Sequence, residues 1–168
     1  SQCNGATSKW YLAYAYRAYS TMLFVKISKI LGVKDLDLLD YEKKIQETKQ
    51  RIYQDYYKDG MLNIQPLTQT GLVIALYFGI CPEGTERAHA EKLVQMIHEN
   101  GDKLTTGFLG TPYLLHVLTG CGYDDLAYTL LFQDQMPSWL YSVDHGATTM
   151  WEHWDGVKPD GSFWSKDM

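Results

Sequence analysis

Between Gly146 and Gly156 the chain sets one carboxylate among aromatic rings, in the string Met150-Trp151-Glu152-His153-Trp154-Asp155. This is chemistry suited to a sugar. An indole covers the C–H face of a pyranose while its N–H can reach a hydroxyl, and a carboxylate beside it can take a proton from water or from the sugar. Glu152 is therefore the candidate base, with Trp151 and Trp154 as candidate sugar platforms. The same string admits a plainer reading, in which Trp151 and Trp154 anchor the start of a helix in the core and Glu152 is a solvated acid in its first turn.

Neighbouring residues extend the question. His145 and His153 flank the carboxylate, and with Asp144 or Asp155 they invite a metal, but their spacing is not that of a helical zinc motif such as H-E-x-x-H. No metal site and no cofactor is expected. Asp155-Gly156 and Asp160-Gly161 read first as turn formers, and Asp144 either assists Glu152 or lies at the surface. Upstream, Gln69 heads an apolar stretch, where its amide can cap backbone groups or reach a sugar hydroxyl. Thr105-Thr106-Gly107 could bring backbone close to a ligand, though a glycine turn entering a buried helix needs none. Trp139 and Tyr141 follow Pro137, which favours an extended approach, and they either line a pocket or pack in the core.

The elements that must hold these residues are helical. From Trp10 to Val25 the only charge is Arg17, and apolar or aromatic residues occupy every face, so this helix must be covered on more than one side; Gly32 is placed to stop it. Asp35 to Lys58 instead carries one stripe, Leu38, Tyr41, Ile45, Ile52 and Tyr56, opposite Lys43, Lys44, Glu47, Lys49 and Arg51. The alternation repeats: Thr68 to Phe78 is nearly all apolar, and the helix after Pro82 is one-sided through Ala90, Leu93, Val94 and Ile97. Pro112 to Leu118 and Tyr123 to Phe132 form a third pair of the same kind. Buried and exposed helices in alternation predict an all-α fold of helical hairpins in two layers. Leu140-Tyr141-Ser142-Val143 is the one stretch with a strand-like pattern. The longer connections, 59–67, 101–110 and 136–146, all precede inner elements, and loops gathered at one rim of a layered scaffold are where sites are built.

Composition narrows the partners. Aromatics reach 14%, with 13 Tyr and 5 Trp, which favours a small polar organic ligand at a half-apolar pocket wall. A net charge of -5 without any Lys/Arg cluster argues against nucleic acid. No apolar run approaches the ~20 residues of a membrane span. The three cysteines, Cys3, Cys81 and Cys121, are odd in number and far apart, so they read as reduced thiols. Ser1-Gln2-Cys3-Asn4-Gly5 lacks the basic and apolar regions of a signal peptide, which inclines the reading to the cytoplasm, although a mature secreted fragment would look the same.

Several strings then share a resemblance. Thr68-Gln69-Thr70, Leu104-Thr105-Thr106-Gly107-Phe108-Leu109-Gly110-Thr111-Pro112-Tyr113-Leu114-Leu115, Pro137-Ser138-Trp139-Leu140-Tyr141, Gly146-Ala147-Thr148-Thr149-Met150-Trp151-Glu152 and Trp154-Asp155-Gly156 resemble, in this order and end to end, the bacterial α-L-rhamnosidases of glycoside hydrolase family 78. The resemblance implies an (α/α)6 toroid and hydrolysis of terminal α-L-rhamnosyl groups from glycosides or polysaccharides with inversion, a reaction that uses two carboxyl groups roughly 6.5 to 9.5 Å apart. Glu152 matches the family's general base, and Trp151, Trp154, Trp139, Tyr141, Gln69 and Thr106 become candidate substrate-binding residues. The family's acid-bearing Asp/Arg/Glu-rich segment and its Gly-Asp-Trp string are absent from these 168 residues, as is a sugar-binding histidine expected beyond Met168. Lys103 stands where the family more often has a histidine. Residues 1–168 thus resemble the C-terminal half of the toroid, without its acid-bearing half.

Three classes of function follow: part of an α-L-rhamnosidase, inactive alone; a noncatalytic carbohydrate-binding or scaffold half-domain; or another α/α-toroid sugar enzyme, such as an unsaturated uronyl hydrolase or a glycoside phosphorylase. A phosphorylase needs a phosphate pocket, for which the chain offers no basic cluster. The expected partners are a rhamnose-containing glycoside and either a second copy or the missing half of the domain.

Overall fold

The computed structural model describes residues 7–34 and 37–164. Cys3, the Ser1–Gly5 terminus and Asp35 lie outside the described residues. The chain folds as α1 (Lys9–Ile30), α2 (Leu38–Tyr56), a hairpin of β1 (Tyr57–Lys58) and β2 (Met61–Leu62), then α3 (Gln69–Tyr77), α4 (Glu86–Glu99), α5 (Thr111–Gly120), α6 (Asp124–Leu131) and α7 (Trp139–Asp144).

Helices pair as α1 with α2, α3 with α4 and α5 with α6, while α3 also packs on both α1 and α5. The all-α, two-layer hairpin fold expected from the alternation is therefore present, with α1, α3 and α5 inside and α2, α4 and α6 outside. Its centre is α3, where Gln69 to Ala75 are all buried. Such a run reads as apolar on every side because it is covered on every side. The Thr68 side chain caps it by accepting from Gly71 N–H at 3.1 Å. On α1, Tyr11, Ala15 and Ala18 bury one face, and the Tyr11 hydroxyl crosses to α3 to donate to the Gly71 carbonyl at 3.1 Å. Burial holds that phenol well above the ordinary tyrosine range, so it stays a neutral donor. As expected, Gly32, at φ 64, follows the end of α1.

Outer helices bury single stripes: Ile45, Thr48 and Ile52 on α2, and His89, Ala90, Leu93 and Ile97 on α4. Wholly buried His89 joins two elements, since Nδ1 lies 2.8 Å from the Thr85 carbonyl and Nε2 accepts from Leu62 N–H at 3.2 Å. One ring nitrogen must donate and the other accept, which selects the Nδ1–H tautomer.

Two local expectations are corrected. Leu140 to Val143 is not a strand but most of α7, because the Ser138 hydroxyl accepts from Tyr141 N–H at 3.1 Å and starts a helix there. A good cap outweighs the weak β preference of Tyr and Val. Conversely, a small hairpin stands in the 57–62 connection, where Asp59 (φ 51) and Gly60 (φ 79) both take the left-handed backbone that a two-residue hairpin turn demands. Among the described residues no helix is long and apolar enough to cross a membrane.

Candidate active site

The aromatic string lies in irregular chain beyond α7, so no helix begins at Trp151 or Trp154. Three hydrogen bonds fix this segment: Ala147 N–H to the Ser142 carbonyl at 3.0 Å, Tyr141 hydroxyl to the Val157 carbonyl at 2.8 Å, and Trp154 Nε1–H to the Thr106 carbonyl at 2.8 Å. The last bond crosses to the turn before α5. Trp154 also meets Trp139 of α7 edge to face, with ring centroids 5.5 Å apart at 89°.

A cleft of about 760 Å³ opens where this segment faces the inner helices. Trp139, Trp151, Glu152, His153 and Trp154 line it, together with Thr70, Phe108, Leu115 and His116 among others. Glu152 is exposed, and it is the only carboxylate among the described residues that line the cleft. No other described residue holds it in a hydrogen bond or ion pair. Its oxygens are open to water beside apolar ring faces, an arrangement that can accept a proton from a water placed over a sugar.

The structure brings Trp139, Trp151, Glu152 and Trp154 together at the cleft; Gln69, Thr106 and Tyr141 it does not. Gln69 is 1% exposed, and its amide is spent on backbone, with Nε2 donating to the Lys103 carbonyl at 3.2 Å and Oε1 accepting from Thr105 N–H at 2.8 Å. Thr106 is fully buried, its hydroxyl 2.9 Å from that of Thr111. Tyr141 is spent on Val157, and burial followed by the nearby Asp155 and Asp160 carboxylates raises its pKa, keeping the donor protonated. Trp154 offers the cleft a face but no free N–H, because Thr106 takes it.

Other candidates separate from the cleft. Asp144 and His145 line a different pocket with Asp134 and Pro159. Asp155 is buried, whereas Gly161 (φ 78) makes the turn expected of Asp160-Gly161, with Ser162 N–H donating to Asp160 at 2.9 Å. Among the described residues no three His, Cys, Asp or Glu side chains gather to hold a metal. Sequence reasoning passed over His116, the one imidazole in the apolar run of α5, and its place in that run was the available signal. Lys103 reaches Gln135 Oε1 at 3.1 Å and the Met136 carbonyl at 3.3 Å, so here it braces the approach to α7.

The family of the bacterial alpha-L-rhamnosidase 6 hairpin glycosidase domain matches residues 1–167. An α-L-rhamnosidase of Streptomyces avermitilis is 40% identical over 162 residues, covering 96% of this chain and 15% of its own length. Another, from Formosa agariphila, is 36% identical over 159 residues, covering 95% and 17%. The crystal structure of Streptomyces avermitilis alpha-L-rhamnosidase complexed with L-rhamnose superposes with a TM-score of 0.87 at 37% identity, over 94% of this chain and 15% of that one. That of native α-L-rhamnosidase from Aspergillus terreus gives 0.88 at 32% identity, over 97% and 19%. The chain spans less than a fifth of each of these relatives.

Proposed function

Because the chain belongs to the bacterial alpha-L-rhamnosidase 6 hairpin glycosidase family, we propose that it is the base-bearing part of an inverting glycoside hydrolase that removes terminal α-L-rhamnosyl groups. One observation carries the assignment: Glu152 is an unengaged carboxylate in a cleft walled by Trp139, Trp151 and Trp154. In this reading Glu152 accepts a proton from water as that water attacks the anomeric carbon, while an acid on the opposite face protonates the leaving oxygen. The indole faces carry the C–H surface of the sugar and exclude bulk water.

Glu152 is the only carboxylate among the described residues that line the cleft, so in this reading the acid lies outside them, and these 168 residues alone hydrolyse no rhamnoside. The test is Glu152→Gln in a full-length enzyme carrying this segment. The amide is nearly isosteric and cannot take the proton, so kcat falls by about 10² to 10⁴ while the fold is kept. Near-normal turnover would move the base elsewhere. NMR of the first product supplies an independent check, because direct release of the starting α anomer would contradict inversion.

A further inference from the structure

Residues 103–106 form a strut to which three separate parts of the cleft are fastened. Gln69, at the head of α3, grips it in both directions, through the Lys103 carbonyl at 3.2 Å and Thr105 N–H at 2.8 Å. Lys103 reaches from it to Gln135 and the Met136 carbonyl, just before the helix that carries Trp139. The Thr106 carbonyl takes the Trp154 indole N–H at 2.8 Å, two residues from Glu152. Glu152 itself is exposed and touches no described partner that could aim it. Its placement must then come from the backbone on either side, which the Trp154 indole N–H ties to the turn before α5.

We propose that Gln69 is a positioning residue for Glu152, acting through the 103–106 strut and the Trp154 N–H. The inference rests on the reading of Glu152 as base. Gln69 is buried and absent from the cleft wall, so it acts on the chemical step without touching the substrate. Small displacements of a reacting group cost rate steeply, which makes the effect measurable.

The experiment is a double-mutant cycle in the full-length enzyme, combining Gln69→Met with Glu152→Gln. Met preserves the length and burial of the side chain but removes both hydrogen bonds. Gln69→Met lowers kcat by about tenfold with KM nearly unchanged, and it has no further effect in the Glu152→Gln background, because residues acting as a unit are not additive. An equal fold-loss in both backgrounds, or unchanged kcat in a folded Gln69→Met enzyme, would overturn the proposal. Replacement of Trp154 by 3-benzothienylalanine, which keeps a bicyclic ring face in the cleft and against Trp139 while putting sulfur in place of the N–H, is run through the same cycle and decides the matter should Gln69→Met fail to fold. If Glu152→Gln alone retains full turnover, the base assignment fails by that single variant and this inference falls with it.

Discussion

The Tyr141 hydroxyl donates to the Val157 carbonyl at 2.8 Å, so a side chain of α7 pins the far end of the segment that carries Glu152. Both partners lie within the last third of the chain, and the bond closes the 142–156 segment into a loop anchored at its two ends. Tyr141→Phe removes the anchor and leaves the Val157 carbonyl without this donor, at a cost of about 1 kcal/mol. Amide exchange in residues 151–164 quickens, while protection in α3 and α4 is unchanged. Equal exchange of that segment in both proteins, measured by mass spectrometry, would show that the bond does not hold it.

Two glycines beside the cleft make a contrasting pair. A Cβ at Gly110 would stand 2.8 Å from Thr70 Oγ1 and 3.1 Å from Thr106 Cγ2, whereas one at Gly107 would meet nothing within 4 Å. Neither glycine has the left-handed backbone. Gly110→Ala is therefore destabilising by about 1 to 3 kcal/mol, because the junction of α3 and α5 has to open, while Gly107→Ala changes stability by less than about 0.5 kcal/mol. Chemical denaturation of the two variants ranks them; equal midpoints would refute the packing argument.

Much of this was legible beforehand. The inner and outer helices declared themselves, because Thr68 to Phe78 lacks any charge and Asp35 to Lys58 keeps its charges on one side. The aromatic carboxylate string pointed to the cleft. What the pattern could not reveal was the direction of individual polar groups. Gln69 and Thr106 have the chemistry to meet a sugar, and only the fold shows their hydrogen bonds consumed by Lys103, Thr105 and Thr111. His89 was equally silent, since nothing in sequence marks Leu62 N–H as its partner. The short helix over Trp139–Asp144 hid behind Tyr and Val, whose β preference a single serine cap overcomes.

In isolation the chain is expected to self-associate. Near the end of α1 and the start of α2, Ile27 (53%), Ile30 (73%), Leu31 (72%) and Leu39 (77%) stay exposed. Leaving such a patch in water is unfavourable by roughly 25 cal/mol per Å². Light scattering of the purified chain gives a mass above 19.3 kDa at high concentration. The Ile27→Lys/Ile30→Lys double variant returns it to the monomer. A monomeric mass for the unaltered chain at every concentration is the result that would sink this expectation.

Helix α3 is packed on α1, α4 and α5, whereas α1 and α5 each meet it from one side. Mechanically the three hairpins behave as a short one-dimensional array, in which each unit leans on its nearest neighbour and stability sums over units and the interfaces between them. Peeling away either outer hairpin breaks one interface; releasing α3 breaks both at once. The opening of least cost therefore begins at the ends of the array and reaches Leu72 to Ala75 last. Gln69 opens that same helix, so the strut that aims the Glu152 segment is rooted in the slowest-opening part of the molecule.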